Sequence, residues 1–224
     1  MQWWQEDRSI AQAHSQTGTV TAGEDYGESI VTALKKIDGA FRYASYTVVV
    51  SPIPITGYEK EYNPQKWDGD AEDNTVCYNY ALNCQTDILG EWLTMLPGSS
   101  DPSTANLAPE DKYTKSEIVK LIEKDAAYYG FYFKETQKNH TYEAPEGAYL
   151  VALYVCPGKS YHWYRQDPDG MWSHKPGGGA VTREDFSGNP IYDPDYANRD
   201  LSGDHNYWQL VGFFYVTPLD RIKE

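Results

Sequence analysis

The chain has 224 residues, a formal net charge of -14 and three cysteines. So acidic a balance excludes a nucleic-acid groove, because phosphate contact needs clustered Lys and Arg that release counterions. No run approaches the roughly 18 to 20 consecutive apolar residues of a membrane-spanning helix. Cys77, Cys84 and Cys156 are too few to make a disulfide framework, so a reducing compartment is expected. Met1, Gln2, Trp3 and Trp4 open the chain without a basic segment leading into an apolar core, so no secretory signal is expected.

Residues 1–27 are rich in Gln, Ser, Thr and Gly and read as an extended arm. Ile30, Leu34, Ile37 and Phe41 then recur at helical spacing, which predicts one amphipathic helix over Glu28–Phe41. Tyr46 to Ser51 reads as a strand that Pro52 and Pro54 end. The run Asp68-Gly69-Asp70-Ala71-Glu72-Asp73 carries oxygens of the kind Ca²⁺ takes, but it lacks the full EF-hand pattern and reads as a solvated acidic turn. A helix starts at Cys77, with Thr75 as its expected cap, and the Thr114 and Glu117 capping box starts a second that stops at Gly130. Strands follow over 131–133, 148–156, 161–167, 171–175 and 208–216. Helices come first and strands after, so the main domain is expected to be α+β, with helices packed on an antiparallel sheet.

Nucleophilic cysteine chemistry needs a thiolate, and a helix start favours one through its free N–H groups. Cys77 occupies such a place, whereas Cys84 and Cys156 lie in apolar surroundings and read as structural. A base must come from His14, His140, His162, His174 or His205, and of these His162 and His174 share a hairpin. Its turn is Asp167-Pro168-Asp169-Gly170, and a three-residue loop there sets Asp167 against Met171, Arg165 against Ser173 and Tyr164 against His174. His162, Tyr164, Trp172 and His174 then point to one side of the sheet. A loop one residue longer would put His174 on the other side. No Cys-x-x-Cys or His-x-x-x-His pair occurs, so neither a metal nor a cofactor is expected.

The order of Cys77 at a helix start, His162 on a later strand and His174 on the adjoining strand resembles the papain-like cysteine hydrolases, most of all their NlpC-type cell-wall peptidase branch. Val76 and Tyr78 flank Cys77 where that branch has Asp-Cys-Ser-Gly. The resemblance implies Cys77 as nucleophile, His162 as base and His174 as its orienting residue, in a cysteine-dependent hydrolase of peptide or peptidoglycan amides. In such a mechanism the Cys77 N–H would help hold the oxyanion, with Asn74 as a candidate second donor or else a simple turn residue. A second resemblance, of Gly27-Glu28-Ser29-Ile30 through Phe41 to a helical motif of bacteriophage tail proteins, implies virion proteins as partners of residues 1–45. The organisation expected is an arm with one helix over 1–45 and a papain-like domain over 46–224. Its expected place is a bacteriophage virion, or the bacterial cytoplasm before assembly. The alternative is a non-catalytic virion structural or attachment protein on the same scaffold.

Overall fold

A computed structural model describes residues 1–87, 89–139, 143–201 and 205–219. The protein is mixed α and β, with antiparallel sheets and few helices, and it divides into two compact units, Met1–Ile53 and Pro54–Glu224. The boundary expected at 45/46 falls inside a strand. Among the described residues no helix is long and apolar enough to cross a membrane.

The first unit is built from strands throughout: β1 (Gln2–Gln5), β2 (Ala11–Ala13), β3 (Val20–Ala22), β4 (Gly27–Ile37) and β5 (Ala40–Val50). β1, β4 and β5 form one sheet in that order, and β2 pairs with β3. Residues 1–27 are therefore paired strands and not an extended arm, and the helix expected over Glu28–Phe41 is a long hairpin. Its turn explains the difference. Asp38 (φ 49°) and Gly39 (φ 80°) both take left-handed conformations between the paired Ile37 and Ala40, the two-residue connection whose twist matches that of the strands it joins. Ile30, Val31, Thr32, Tyr43, Tyr46, Thr47 and Val48 are moreover strand-forming residues. Helical spacing of four apolar residues was outweighed by this turn and these side chains, and the likeness to a tail-protein helix loses its helix. Gly18 lets the unit close: a β-carbon there would lie 2.4 Å from the Trp3 indole.

The second unit follows the expected order of helices before strands. Short helices α1 (Asp70–Asn74), α2 (Cys77–Ala81) and α3 (Pro109–Lys112) precede α4 (Lys115–Tyr129). The Thr114 hydroxyl caps α4 by accepting from the Glu117 N–H at 3.3 Å, and Gly130 ends it. α2 starts after Val76 instead of being capped by Thr75, whose hydroxyl turns back to the Ala71 carbonyl of α1. Strands β6 (Phe133–Thr136), β7 (Tyr149–Cys156), β8 (Ser160–Gln166), β9 (Trp172–His174) and β10 (Gln209–Val216) form one antiparallel sheet ordered β6-β10-β7-β8-β9. One of its faces turns Tyr149, Val151, Leu153 and Val155 of β7, Tyr161 and Trp163 of β8 and Phe214 of β10 into a core shared with Tyr78, Ile118 and Ile122. β7 is buried along its whole length, so both sheet faces are covered there.

Two buried polar side chains fix α2 against this core. Asn79 uses all four of its hydrogen-bonding positions: its Oδ1 accepts from the Val76 and Met95 N–H groups, and its Nδ2 donates to the Cys84 and Leu93 carbonyls. Asp125 of α4 is fully buried and accepts from the Gly98 and Ser100 N–H groups, each at 2.8 Å, and from the Tyr78 hydroxyl at 3.2 Å. Burial pushes its carboxyl above the ordinary range, while the bonds from Ser100, Gly98 and Tyr78 pull the other way. Asp125→Ala leaves these donors without their acceptor, so it should destabilise the protein by about 2–4 kcal/mol. Asp125→Asn keeps one acceptor oxygen and should lose less. Equal urea midpoints for wild type and Asp125→Ala would contradict this role.

Candidate active site

The β8–β9 hairpin adopts the register read from its turn, with Tyr164 against His174, Arg165 against Ser173 and Gln166 against Trp172. The Asp167 N–H donates to the Met171 carbonyl and closes the loop. Below the turn, the fully buried Asp167 accepts from the Ser173 hydroxyl at 2.8 Å and from Arg183 Nε at 2.9 Å, and it lies 3.7 Å from the Arg165 guanidinium. Burial raises its carboxyl to about 6, against the two arginines.

Because β8 and β9 share this register, His162 and His174 leave the sheet on one face, and His162 Nε2 lies 2.7 Å from His174 Nδ1. The other ring nitrogen of His174 lies 2.8 Å from the Glu184 carbonyl oxygen. That oxygen is brought alongside β9 by Thr182, which exchanges backbone hydrogen bonds with His174 in both directions. A carbonyl can only accept, so His174 carries its proton on Nε2 and presents a bare Nδ1. His162 Nε2–H must then donate to it, and His162 Nδ1 is left as the basic nitrogen. Tyr207 stacks on the His162 ring at 5.1 Å between centroids, and Phe186 approaches both imidazoles.

Cys77 reaches the same strand from the opposite side. It is buried in the helix-side core together with Tyr161 and Trp163, the two neighbours of His162. Its sulfur faces the backbone N–H of Trp163, beyond the point where β9 ends. The thiol therefore rests against the peptide that joins His162 to Trp163, and among the described residues no hydrogen bond joins it to either imidazole. Burial raises the Cys77 thiol to about 12, although the Trp163 and Tyr78 N–H groups and the Lys175 ammonium favour the thiolate. Burial and the neighbouring His174 hold His162 well below the ordinary histidine range, and burial lowers His174 to about 4. The site at rest thus holds a neutral thiol and two neutral imidazoles, where the sequence suggested a thiolate. Asn74 is exposed at the end of α1, and its Nδ2 donates to the Asp70 carbonyl at 2.8 Å. Cys84 and Cys156 are buried and unbridged, and His140 lies outside the described residues.

Two participants escaped the sequence reading. The Glu184 oxygen belongs to the main chain, which leaves no trace in side-chain patterns. Lys175 was legible by alternation: adjacent to His174, it turns to the helix side, where its fully buried ammonium donates to the Glu72, Gly177 and Gly179 carbonyls at 2.8–3.0 Å. It ties α1, which leads to Cys77, to the end of the strand that carries His174.

The buried pair has a pH signature. The unfolded chain takes up a proton at His174 near pH 6.5 and the folded protein only near 4. The His174 contribution to stability is therefore present above pH 6.5 and is lost as the pH falls toward 4. Asp167, whose folded value is raised, acts with the opposite sign over the same interval. Nitrogen NMR of the rings isolates the histidines: both should remain neutral Nε2–H tautomers at pH 6. An imidazolium signal from either ring at that pH would overturn the proton assignment.

No protein-family model matches the chain, and no solved structure matches it. Insoluble matrix shell protein 1 of Ruditapes philippinarum is 30% identical to it over 165 residues, which span 72% of this chain and 93% of that protein. Similarity of that extent means that the chain belongs to the same family as insoluble matrix shell protein 1.

Proposed function

We propose that the second unit is a cysteine-dependent amide hydrolase on a papain-like scaffold, with Cys77 as nucleophile, His162 as base and His174 as the residue that orients it. The observation that carries this reading is the hydrogen-bonded chain from the Glu184 carbonyl through His174 to His162, on the strand whose Trp163 N–H the Cys77 sulfur faces. For His162 to accept the Cys77 proton as the sulfur attacks a substrate carbonyl, the α1–α2 segment must shift against the hairpin where β9 has ended, so that charge develops only when substrate is present. The Cys77 N–H and the second N–H of Asn74 serve the oxyanion. His162 then returns the proton to the leaving amine, and water hydrolyses the thioester. The bond cut is an amide of a peptide or of a peptidoglycan stem, in line with the likeness to NlpC-type peptidases.

A second reading, a non-catalytic structural module, is favoured by the burial of the thiol and by the name of the relative, an insoluble matrix shell protein. Incubating wild type and Cys77→Ala with purified sacculi and with a peptide library, and reading new amine ends by mass spectrometry, separates the two. The hydrolase reading expects new ends from wild type and a loss of at least about 100-fold in Cys77→Ala and His162→Ala, as for residues acting as a unit. No new ends from folded wild-type protein in either mixture would leave the structural reading.

A further inference from the structure

β5 is the edge of the first unit's sheet, and among the described residues it pairs with β4 alone. It runs for 11 residues, Ala40–Val50, with no proline, no glycine and Arg42 as its single charge. An edge of that length presents a row of main-chain donors and acceptors that form a ready template for another strand, and it lacks the lysines, prolines and bulges that usually block such pairing. Residues 40–47 are exposed, with Tyr43 at 79% and Phe41 at 68%.

We propose that this edge joins two copies of the chain, β5 pairing antiparallel with the β5 of a second copy about a two-fold axis at Ser45. The strand's own sequence selects the occupant and the register. Centred on Ser45, Phe41 meets Val49 and Tyr43 meets Thr47 on one face, and both are the aromatic with β-branched pairs that favour antiparallel strands. On the other face Arg42 meets Val48, so the strand's one charge never opposes its own copy. A strand from an unrelated protein would have no reason to match these positions. The chain's acidity does not oppose the contact, because residues 1–53 hold Arg8, Lys35, Lys36 and Arg42 against Glu6, Asp7, Glu24, Asp25, Glu28 and Asp38. Only two of the fourteen net negative charges lie in this unit. The result is one continuous sheet with the closed, isologous symmetry usual for dimers. The inference is independent of any chemistry at Cys77.

Sedimentation equilibrium of the full chain tests it. Wild type should double in mass as its concentration rises into the high-micromolar range. The double variant Tyr43→Lys with Thr47→Lys sets like charges opposite each other at both pairs, and should weaken the dimer at least tenfold. Tyr43→Glu with Thr47→Glu should do the same. Both side chains are exposed, so circular dichroism should show either variant folded as wild type. Mixing the two variants sets Lys against Glu and should restore a mixed dimer. A monomeric wild type at every concentration, a dimer indifferent to both variants, or a mixture that stays monomeric would each overturn the proposal.

Discussion

The candidate site depends on one constraint: a main-chain carbonyl has no proton to give. Because Glu184 can only accept, the proton of His174 is fixed on Nε2, and that of His162 is fixed in turn. A side-chain carboxylate in the same place would orient the pair but would also favour an imidazolium. The neutral carbonyl orients without supplying charge. Together with burial this keeps both rings neutral at rest, which suits a base that must accept a proton and not one that already holds it. The same burial keeps Cys77 a thiol.

What was legible in the sequence was local. The Asp167-Pro168-Asp169-Gly170 turn contained enough information to set the β8–β9 register, and the register alone brings two histidines within 2.7 Å of each other. Thr114, Glu117 and Gly130 bounded α4 for the same kind of reason. In the first unit two local signals disagreed. The spacing of Ile30, Leu34, Ile37 and Phe41 suits a helix, whereas Asp38-Gly39 is a hairpin turn flanked by β-branched and aromatic residues. A turn requiring two consecutive left-handed residues is the more exclusive signal, since a helix with an Asp-Gly pair in it also bears the helix cost of glycine. Contacts made by the main chain, and the long loops that bring Phe186 and Tyr207 against the imidazoles, leave no comparable mark.

Polar groups buried in the second unit divide the labour. Asn79 and Asp125 hold α2 against the helix-side core, and Lys175 holds α1 to the end of β9. Asp167 and its arginines brace the hairpin turn. Each is saturated or nearly so, as a buried polar group must be to avoid a net cost. Cys77 and His162 therefore sit between two separately anchored bodies, the α1–α2 segment and the hairpin, meeting at the backbone of Trp163. Small shifts of one anchor against the other would change the distance from thiol to imidazole without unfolding either.

The first unit poses the opposite problem. Its fully buried apolar residues, such as Ala11 and Val31, are few, while Trp4, Ile30, Ile37, Phe41, Tyr43 and Tyr46 are exposed. A unit of some fifty residues already buries a small share of its surface, and a sheet of three strands adds little to that. Lengthening β4 and β5 to 11 residues each does not help such a unit cover itself, because the added residues lie at the hairpin's outer end with both faces open. Extra strand length at a free edge brings stability only when another strand pairs with it. The hairpin is therefore better matched to a sheet larger than the one a single copy can build.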